Sequence, residues 1–317
     1  MNSPTHDAAV NPLQAHSSVL AAIVEQVGAS TLAVPGRHHG ALASAVVWRP
    51  GLVVTAAHVF RRTPAAVSFV GSEGRTFAAT LVGIDSSTDI AVFRFADEAA
   101  DAPAAIAAGD ASAVKAGHFA IAIGRSGEGD PIVSAGLVNR AAGPWQTWLG
   151  GHVDRLIRLD GGVYEGLSGA AVADAAGAVI GIATAALSRS YGIVVPSSTV
   201  DRVVVALLAH GHVARPWLGI GAQPVPLPAA SATATATAGQ TGLLVTSLAS
   251  GGPAERAGVL VGDIVVSAGE GRAGNLHELR QALAAHVGKA AMLSLSRGGV
   301  ATELTVQVGE WPGSRRC

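Results

Sequence analysis

The sequence contains little cysteine and little lysine. The one cysteine among 317 residues is the last residue, Cys317, so no disulfide can form within the chain. This fits a reducing compartment without requiring one. Lys115 and Lys289 are the two lysines, and the formal net charge is −1. We therefore expect no nucleic-acid partner, since such partners require a strongly basic surface.

Long apolar runs and an export signal are also missing. No stretch of about 18 consecutive apolar residues occurs. Residues 217–254 carry no charge, but prolines and a polar Ala/Thr run interrupt them. Residues 1–30 lack a basic segment followed by an apolar one, so we expect no secretory signal and no membrane span. Taken alone, these absences predict a soluble cytoplasmic protein.

Patterns for nucleotide and metal sites are absent as well. No glycine-rich loop follows a strand and opens a helix, so we expect no dependence on a nucleotide. The pairs His38–His39 and His210–His212 have no carboxylate or thiolate nearby at ligand spacing. We therefore expect neither a metal nor any other cofactor.

What the sequence does contain is a long series of short apolar runs from about residue 31 to residue 196. Runs such as 42–48, 76–85, 89–95 and 118–124 are separated by Gly, Pro, Asp or Ser. Short runs with regular turn residues are typical of an all-β barrel or sandwich.

A change of period follows this β region. Residues 197–211 place Val200, Val203, Val204 and Leu207 on one helical face, and Gly211 ends the pattern. Ser198 and Asp201 have the spacing of a capping box. The simplest interpretation is a helix that closes the β domain.

A second, smaller unit begins after residue 212. Its low-complexity stretch 226–240 is too polar and small-sided to build a core. A helix is predicted from Asn275, with Glu278 at capping-box spacing and Leu276, Leu279 and Leu283 on one face. We assign an N-terminal segment 1–30, a β domain 31–212, and a small α+β module 213–312 with a flexible insertion at 226–240.

One histidine interrupts the otherwise apolar run VVTAAHVF, residues 53–60. A lone histidine in such a run is more often a core residue, so a catalytic interpretation of His58 needs partners. Asp89 begins the run DIAVFRF, and Ser168 lies in the glycine-flanked turn EGLSGAAV. A serine needs a base to remove its proton, and the base needs a third group to fix its tautomer. Taken separately, each motif also fits an ordinary turn, strand cap or ion pair.

The turn around Ser168 offers two chemical interpretations. Its glycines allow the N–H groups of Gly166 and Ser168 to point at one spot, as an oxyanion hole requires. It also resembles the G-x-S-x-G nucleophile elbow, although Ala170 replaces the last glycine. That elbow belongs to parallel β/α folds with the order Ser, Asp, His. The order His, Asp, Ser within β surroundings favours the chymotrypsin-like arrangement instead.

Together, these motifs resemble HtrA/Deg-type trypsin-like serine proteases with one C-terminal PDZ domain. The resemblance extends over about residues 20–310 and includes YGIVVPSSTVDRVV, WLGI and GGPAERAGVLVGDIVVS. It implies a mostly β fold, a chymotrypsin-like double β-barrel followed by a small α+β PDZ domain. It also implies ATP-independent cleavage of unfolded or misfolded polypeptides in protein quality control and the stress response. A location in the periplasm or cell envelope is implied too, and a homotrimer by analogy.

The resemblance assigns roles to individual residues. His58 resembles the general base, Asp89 the orienting carboxylate, Ser168 the nucleophile and Gly166 the oxyanion-hole glycine. The walls of the substrate pocket are expected at Thr184, Ala185, Gly192 and Ile193, and Thr184 is also expected to support the aspartate. The loop that captures a peptide C-terminus in the PDZ domain is expected at Trp217, Leu218, Gly219 and Ile220.

Three questions remain open at this stage. The chain could be a catalytically inactive protease-fold scaffold whose PDZ domain binds polypeptide C-termini. Asp85 is the next candidate for the orienting carboxylate if Asp89 does not serve. Trp145 and Trp148 could cover a substrate, although packing against the barrel is the more frequent role of such residues.

Overall fold

The computed structural model describes residues 11–35, 41–60, 62–96, 102–227 and 241–311. The chain divides into two compact units, Met1–His212 and Val213–Cys317. Two closed β-barrels occupy the first unit, and an antiparallel sheet with short helices occupies the second. This mostly β architecture is the fold class that the sequence predicts.

The first barrel closes in the strand order β1-β2-β3-β6-β5-β4. Its core is built from alternating apolar residues on these strands, with Phe69 and Phe93 packed edge to face. Short 3-10 turns occupy Ala57–Val59 and Ser72–Gly74. The strands are β1 (Thr31–Pro35), β2 (Ala41–Arg49), β3 (Leu52–Ala56), β4 (Ala66–Val70), β5 (Thr76–Asp85) and β6 (Ile90–Phe95).

The second barrel closes in the order β11-β14-β13-β12-β7-β8. A short hairpin, β9 (Trp145–Gln146) with β10 (His152–Val153), projects between β8 and β11. A 3-10 turn at Ala111–Ala113 precedes the barrel. Its strands are β7 (Phe119–Arg125), β8 (Pro131–Ala142), β11 (Leu156–Leu159), β12 (Ala171–Asp174), β13 (Val179–Thr184) and β14 (Ile193–Pro196).

Helix α1 (Pro12–Gly28) is a feature that the sequence analysis missed. Asn11 caps it, since its side chain accepts a hydrogen bond from the Leu13 N–H, and Pro12 stands at its first position. Ile23 and Val27 are buried where the helix packs against β7, β8 and β12. The N-terminal segment is therefore in part a component of the second barrel.

Helix α2 (Ser197–His210) has the predicted buried face and ends at Gly211 in the left-handed conformation. The predicted capping box is wrong, because Pro196 precedes the helix and Ser198 lies within its first turn. Asp201 instead accepts hydrogen bonds from the Trp48 indole and the Arg49 guanidinium. The helix thereby ties the first barrel to β13 and β14.

The second unit is a sheet in the order β16-β17-β18-β20-β21, with β19 attached to β18. Asn275 caps α4 through its bond from the Glu278 N–H, as predicted, whereas Leu276 is exposed and only Leu279 and Leu283 enter the core. Most of the predicted insertion lies outside the described residues. The elements are β15 (Pro216–Trp217), β16 (Ile220–Pro226), β17 (Thr241–Leu248), α3 (Pro253–Arg256), β18 (Ile264–Ala268), β19 (Gly271–Arg272), α4 (Leu276–Leu283), a 3-10 turn (Ala284–His286), β20 (Ala290–Arg297), β21 (Val300–Gln307) and β22 (Gly309–Glu310).

Within the described ranges, no helix combines the length and the apolar character needed to cross a bilayer.

Candidate active site

His58 lies on the 3-10 turn that follows β3, and this turn presents its ring to solvent. Its backbone N–H donates to Asp89 Oδ1 at 2.8 Å, and its Nδ1–H donates to Asp89 Oδ2 at 2.7 Å. About a third of the His58 side chain is exposed, whereas only 4% of the Asp89 side chain is. The pairing fixes the imidazole tautomer, so that Nε2 is the nitrogen available to a reacting group.

Asp89 sits at the end of a tight turn between β5 and β6. Its φ of +60° is in the left-handed region, which costs energy for any residue with a side chain. Its carbonyl accepts from the Ala57 N–H at 3.1 Å, and its Oδ2 also accepts from the Thr184 hydroxyl. The carboxylate is therefore saturated with donors from both barrels, which holds its orientation towards His58.

Asp85 has a different role in the same turn. Its carboxylate accepts from the Ser87 N–H at 3.2 Å and from the hydroxyls of Ser87 and Thr88 at 2.7 Å. These bonds shape the turn that carries Asp89. Asp89 is therefore the carboxylate that the structure pairs with His58.

Ser168 occupies a turn just before β12, in the second barrel. Gly169 has φ +84°, and a Cβ there would lie 2.2 Å from the Ser44 carbonyl oxygen. Only glycine fits at this point, since any side chain would push the turn away from the first barrel. Leu167 is buried in the second-barrel core and anchors the other side of the turn. The nucleophile position is thus held between the two barrels.

Ser44, on β2, is a site residue that the sequence analysis missed. Its N–H donates to the Ser168 carbonyl at 2.8 Å, and its hydroxyl donates to the Gly166 carbonyl at 2.6 Å. The Arg125 N–H in turn donates to the Ser44 hydroxyl at 3.0 Å. A lone serine in an apolar strand carries no motif, so only the packing of the barrels reveals this contact.

The backbone around Ser168 is arranged as an anion site requires. Gly166 has φ +84°, and a Cβ there would collide with Ile132. Within the described part of the chain, the N–H groups of Gly166 and Ser168 donate to no acceptor. No hydrogen bond joins Ser168 Oγ to His58 among the described residues either. Such bonds are often long in free enzymes and tighten when a substrate is bound.

The four predicted pocket residues come together at the ends of β13 and β14. Thr184 and Ile193 are register partners and are both buried, whereas Ala185 is exposed. Gly192 is packed so closely that a Cβ would lie 3.0 Å from both the Gly161 carbonyl and the Val163 side chain. The walls are therefore small or aliphatic and carry no charge.

Asp160 is the nearest acid in sequence to this pocket. Its Oδ1 accepts a hydrogen bond from the Leu137 N–H of β8 at 2.8 Å. A Cβ at Gly136 would also meet this carboxylate at 2.4 Å, so Asp160 lies closely against β8. The carboxylate is thereby engaged by the barrel wall.

Trp145 and Trp148 both lie on the hairpin between β8 and β11. Trp148 is 77% exposed at the tip. The Trp145 indole N–H is buried and has no hydrogen-bond acceptor in the described structure. The hairpin itself contacts the turn that carries Asp89, because the Thr147 hydroxyl donates to the Ser87 carbonyl at 2.7 Å.

In the second unit, the predicted carboxylate loop lies between β15 and β16. Gly219 has φ +74°, and the carbonyls of Leu218 and Gly219 accept from Ala254 and Ala249 N–H groups. The N–H groups of Leu218 and Gly219 have no acceptor among the described residues. Trp217 pairs with Gly309 and packs its ring edge-on against Trp311, while Ile220 starts β16.

Strand β16 is at the end of its sheet, bonded to β17 on one side only. Helix α4 contacts β16. An extended peptide could add to the free edge of β16, with its C-terminal carboxylate at the N–H groups of the loop.

No group of three or more His, Cys, Asp or Glu side chains in the described ranges is arranged to hold a metal ion.

Comparisons with known protein families agree with this division of the chain. A family model described as "Trypsin-like peptidase domain" matches residues 43–182. A second one, described as "PDZ domain", matches residues 244–297. The double-barrel unit and the small α+β unit each therefore match a known domain type.

Curated relatives and solved structures extend the likeness over most of the chain. The "Probable periplasmic serine endoprotease DegP-like" of Brucella suis biovar 1 is 31% identical over 285 residues, 85% of this chain and 52% of the relative. The protein with the same description from Rhizobium meliloti is 30% identical over 277 residues, 84% of this chain and 52% of the relative. The chain thus spans about half the length of the curated relatives it matches.

Two solved structures have the same fold. The structure "HtrA-type protease AlgW with decapeptide" is 25% identical, covers 92% of this chain and 98% of its own, and has a TM-score of 0.75. The serine endoprotease from Yersinia pestis is 21% identical, covers 98% of this chain and 100% of its own, and has a TM-score of 0.71. The chymotrypsin-like double barrel followed by a PDZ domain is therefore confirmed.

Proposed function

The chain is HtrA/DegP-like, a trypsin-like serine protease homologue with a PDZ domain, and on this premise we propose that it is a serine endopeptidase. We further propose that it cleaves unfolded or misfolded polypeptides without ATP, in protein quality control. The pairing of His58 with the buried Asp89 carboxylate carries the proposal, because this pairing orients a general base beside the nucleophile turn.

The chemistry follows from the roles of these groups. Ser168 Oγ attacks the carbonyl carbon of the scissile peptide while His58 Nε2 takes the hydroxyl proton. The Gly166 and Ser168 N–H groups stabilise the oxyanion that forms, which is a large contribution to such reactions. The C–N bond then breaks as His58 gives its proton to the leaving amine. Water, deprotonated by His58, attacks the acyl group, releases the new carboxyl end and restores Ser168.

Asp89 supports both transfers without itself being protonated. It holds the imidazole in the tautomer that presents Nε2, and its negative charge stabilises the imidazolium that forms in each step. Thr184 donates to the same carboxylate oxygen as His58 does, so the second barrel fixes the acid of the first. The two halves of the site are thereby tied together by the carboxylate.

The second unit supports a role in substrate capture. Among the described residues, the N–H groups of its carboxylate loop have no acceptor and the adjacent strand β16 pairs on one side, which is the arrangement that binds a peptide C-terminus. A homologous HtrA-type protease, AlgW, has been solved with a decapeptide. We infer that the PDZ domain of this chain binds polypeptide C-termini and holds long substrates near the protease unit.

The competing proposal is an inactive protease-fold scaffold that only binds chain ends. The observation that favours it is that no hydrogen bond joins Ser168 Oγ to His58 among the described residues. Labelling with a fluorophosphonate separates the two, because the reagent phosphonylates an activated serine, with loss of fluoride. We expect labelling of the wild-type protein and none of Ser168→Ala. A folded wild-type protein that does not react would establish the scaffold.

A further inference from the structure

The segment 143–153, here called the hairpin, lies against the turn of residues 85–89. The Thr147 hydroxyl donates to the Ser87 carbonyl at 2.7 Å and accepts from the Gly151 N–H at 3.0 Å. The Thr147 N–H also donates to the Gly151 carbonyl at 2.9 Å. Thr147 is 4% exposed, so these bonds are shielded from water.

The hairpin and the turn are packed so closely that no side-chain atom fits between them at Gly151. A Cβ at Gly151 would lie 2.4 Å from the Ser87 carbonyl oxygen and 2.6 Å from the Ser87 hydroxyl. Backbone therefore packs directly on backbone at this point. Such close contact transmits any displacement of the hairpin to the turn, because packed interiors are not compressible.

The turn of residues 85–89 needs stabilising contacts from other segments, because its last residue has a strained backbone conformation. Asp89 has φ +60°, a strained backbone state that persists only where neighbouring contacts enforce it. The Asp85 carboxylate holds the N–H and hydroxyl of Ser87, but its bonds leave the Ser87 carbonyl to another donor. Thr147 is that donor. It fixes the peptide group two residues before Asp89.

We propose that Thr147 is a positioning residue for the reaction, acting through the Ser87 carbonyl on the orientation of Asp89 and, through Asp89, on His58. This proposal rests on the proposed function, since it assigns Thr147 to the same site. Thr147 touches no reacting atom. Its effect is to keep the Asp89 carboxylate where both oxygens receive the His58 N–H groups.

The first experiment compares three variants in the full chain. Thr147→Val keeps the side-chain shape and removes the hydroxyl, Thr147→Ser restores a hydroxyl, and Thr31→Val is the matched control. Thr31 is similarly buried, and its hydroxyl donates to the Gly28 carbonyl at 2.9 Å, a bond that involves no triad residue. The control thus measures the general effect of losing a buried hydroxyl-to-carbonyl bond.

We expect Thr147→Val to lower kcat by on the order of 10-fold, because small displacements of catalytic groups reduce rates strongly. KM should change by less than about 2-fold, since no substrate contact is removed. Thr147→Ser should recover most of the rate, and Thr31→Val should keep it. Equal kcat in Thr147→Val and Thr31→Val would overturn the proposal, as would a Thr147→Ser enzyme as slow as Thr147→Val.

A second variant and a measurement that needs no activity complete the test. Gly151→Ala retains Thr147 but places a methyl group against the Ser87 carbonyl, so it should slow kcat in the same way even if Thr147→Val does not fold. In the proton NMR spectrum, the downfield His58 Nδ1–H signal should shift or broaden in Gly151→Ala and Thr147→Val but not in Thr31→Val. This signal tests the positioning role of Thr147 even if the wild-type chain hydrolyses no substrate. A lack of hydrolysis would disprove only the proposed function. An unchanged signal in both hairpin variants would overturn the positioning role.

Discussion

At the scale of single residues, the buried carboxylates of Asp85 and Asp89, four positions apart, have different hydrogen-bond partners. Asp85 and Asp89 are each 3% exposed, yet the bonds of Asp85 described above go to Ser87 and Thr88, whereas those of Asp89 go to His58 and Thr184. Asp89 has the left-handed backbone, and its carboxylate faces His58.

Exchanging each carboxylate for its amide tests this division. Asp89→Asn should lower kcat on the order of 10⁴-fold, because an amide favours the wrong imidazole tautomer. Asp85→Asn should mainly reduce the free energy of unfolding, by about 1–3 kcal/mol, as a buried acceptor that loses its partners does. Steady-state kinetics and urea unfolding of both variants provide the measurements. Near-wild-type turnover in Asp89→Asn would show that the assignment is wrong.

Substrate preference before the cleaved bond is a second residue-scale prediction. Position 162, where trypsin-like barrels that cut after basic residues carry an acid, is Gly162 here, and the Asp160 carboxylate is bonded to the Leu137 N–H of β8. Burying an unpaired Lys or Arg head group in the uncharged pocket would cost several kcal/mol. An aliphatic side chain would gain roughly 1.5–3 kcal/mol on full burial. We therefore expect cleavage after Val, Ala, Leu or Ile.

Mass-spectrometric mapping of the cuts in unfolded casein checks this preference. The matched variant is Asp160→Asn, which should leave the preference unchanged because the carboxylate is already engaged by the Leu137 N–H. If most cuts follow Lys or Arg, and Asp160→Asn abolishes them, the pocket assignment is incorrect.

At the scale of elements, a single ion pair connects the loop before β18 to β20 in the second unit. Arg297 donates to both oxygens of Asp263 at 2.8 Å, and it also donates to the Gly258 carbonyl. Burial by itself raises the pKa of Asp263, but the bonds from Arg297 and the Leu260 N–H outweigh it, so the pKa lies below its ordinary value. The paired, ionised form is therefore the one that stabilises the sheet.

The stability contributed by the Asp263–Arg297 pair should decrease as the pH falls. A carboxyl whose pKa is lowered on folding contributes stability that is fully present above the ordinary pKa of about 3.9 and lost as pH falls through the lowered value. We expect hydrogen-exchange protection of β18 and β20 in the full chain to fall below about pH 4, after correction for intrinsic exchange. Arg297→Met should remove most of this acid dependence. Arg202→Met, which breaks an exposed pair with Asp154 in the first unit, is the control. An unchanged pH profile in Arg297→Met would contradict the assignment.

At the scale of the whole molecule, each unit has its own buried core. The two barrels are joined by Ser44, Gly169 and α2, and the second unit buries a separate apolar cluster around Leu243 and Leu293. Domains with separate cores are able to fold independently. The protease unit should therefore not need the PDZ unit in order to fold.

Truncation after His212 tests this independence together with the capture role. The truncated protein should remain soluble and cleave short peptides at a rate similar to that of the full chain. Cleavage of long unfolded chains should be slower, since these would lose the second binding site. The rates on a short fluorogenic peptide and on unfolded casein provide the comparison. Equal loss on both substrates would instead mean that the PDZ unit organises the active site.

Much of the fold and of the candidate site can be predicted from the sequence. Short apolar runs with turn residues predict the β-barrels, and the order of His58, Asp89 and Ser168 predicts which chemistry they perform. Helix α1 was missed because residues 1–30 were assigned only as an N-terminal segment, although Asn11–Pro12 is a usable start signal. The capping box at Ser198 was wrong because the helix begins at Ser197, so that Ser198 lies in its first turn, and Asp201 bonds Trp48 and Arg49.

The sequence by itself determined the class of fold and the types of reactive groups, because apolar period and residue chemistry are local properties. Only the tertiary structure decided that Ser44 holds the nucleophile turn and that Thr147 supports the Ser87 carbonyl, whereas the bond from Thr184 to Asp89 agrees with what the family resemblance implies. Each of these contacts joins residues separated by 60 positions or more. A hydroxyl in an apolar run has no pattern of its own, and its partner is set by how the barrels pack.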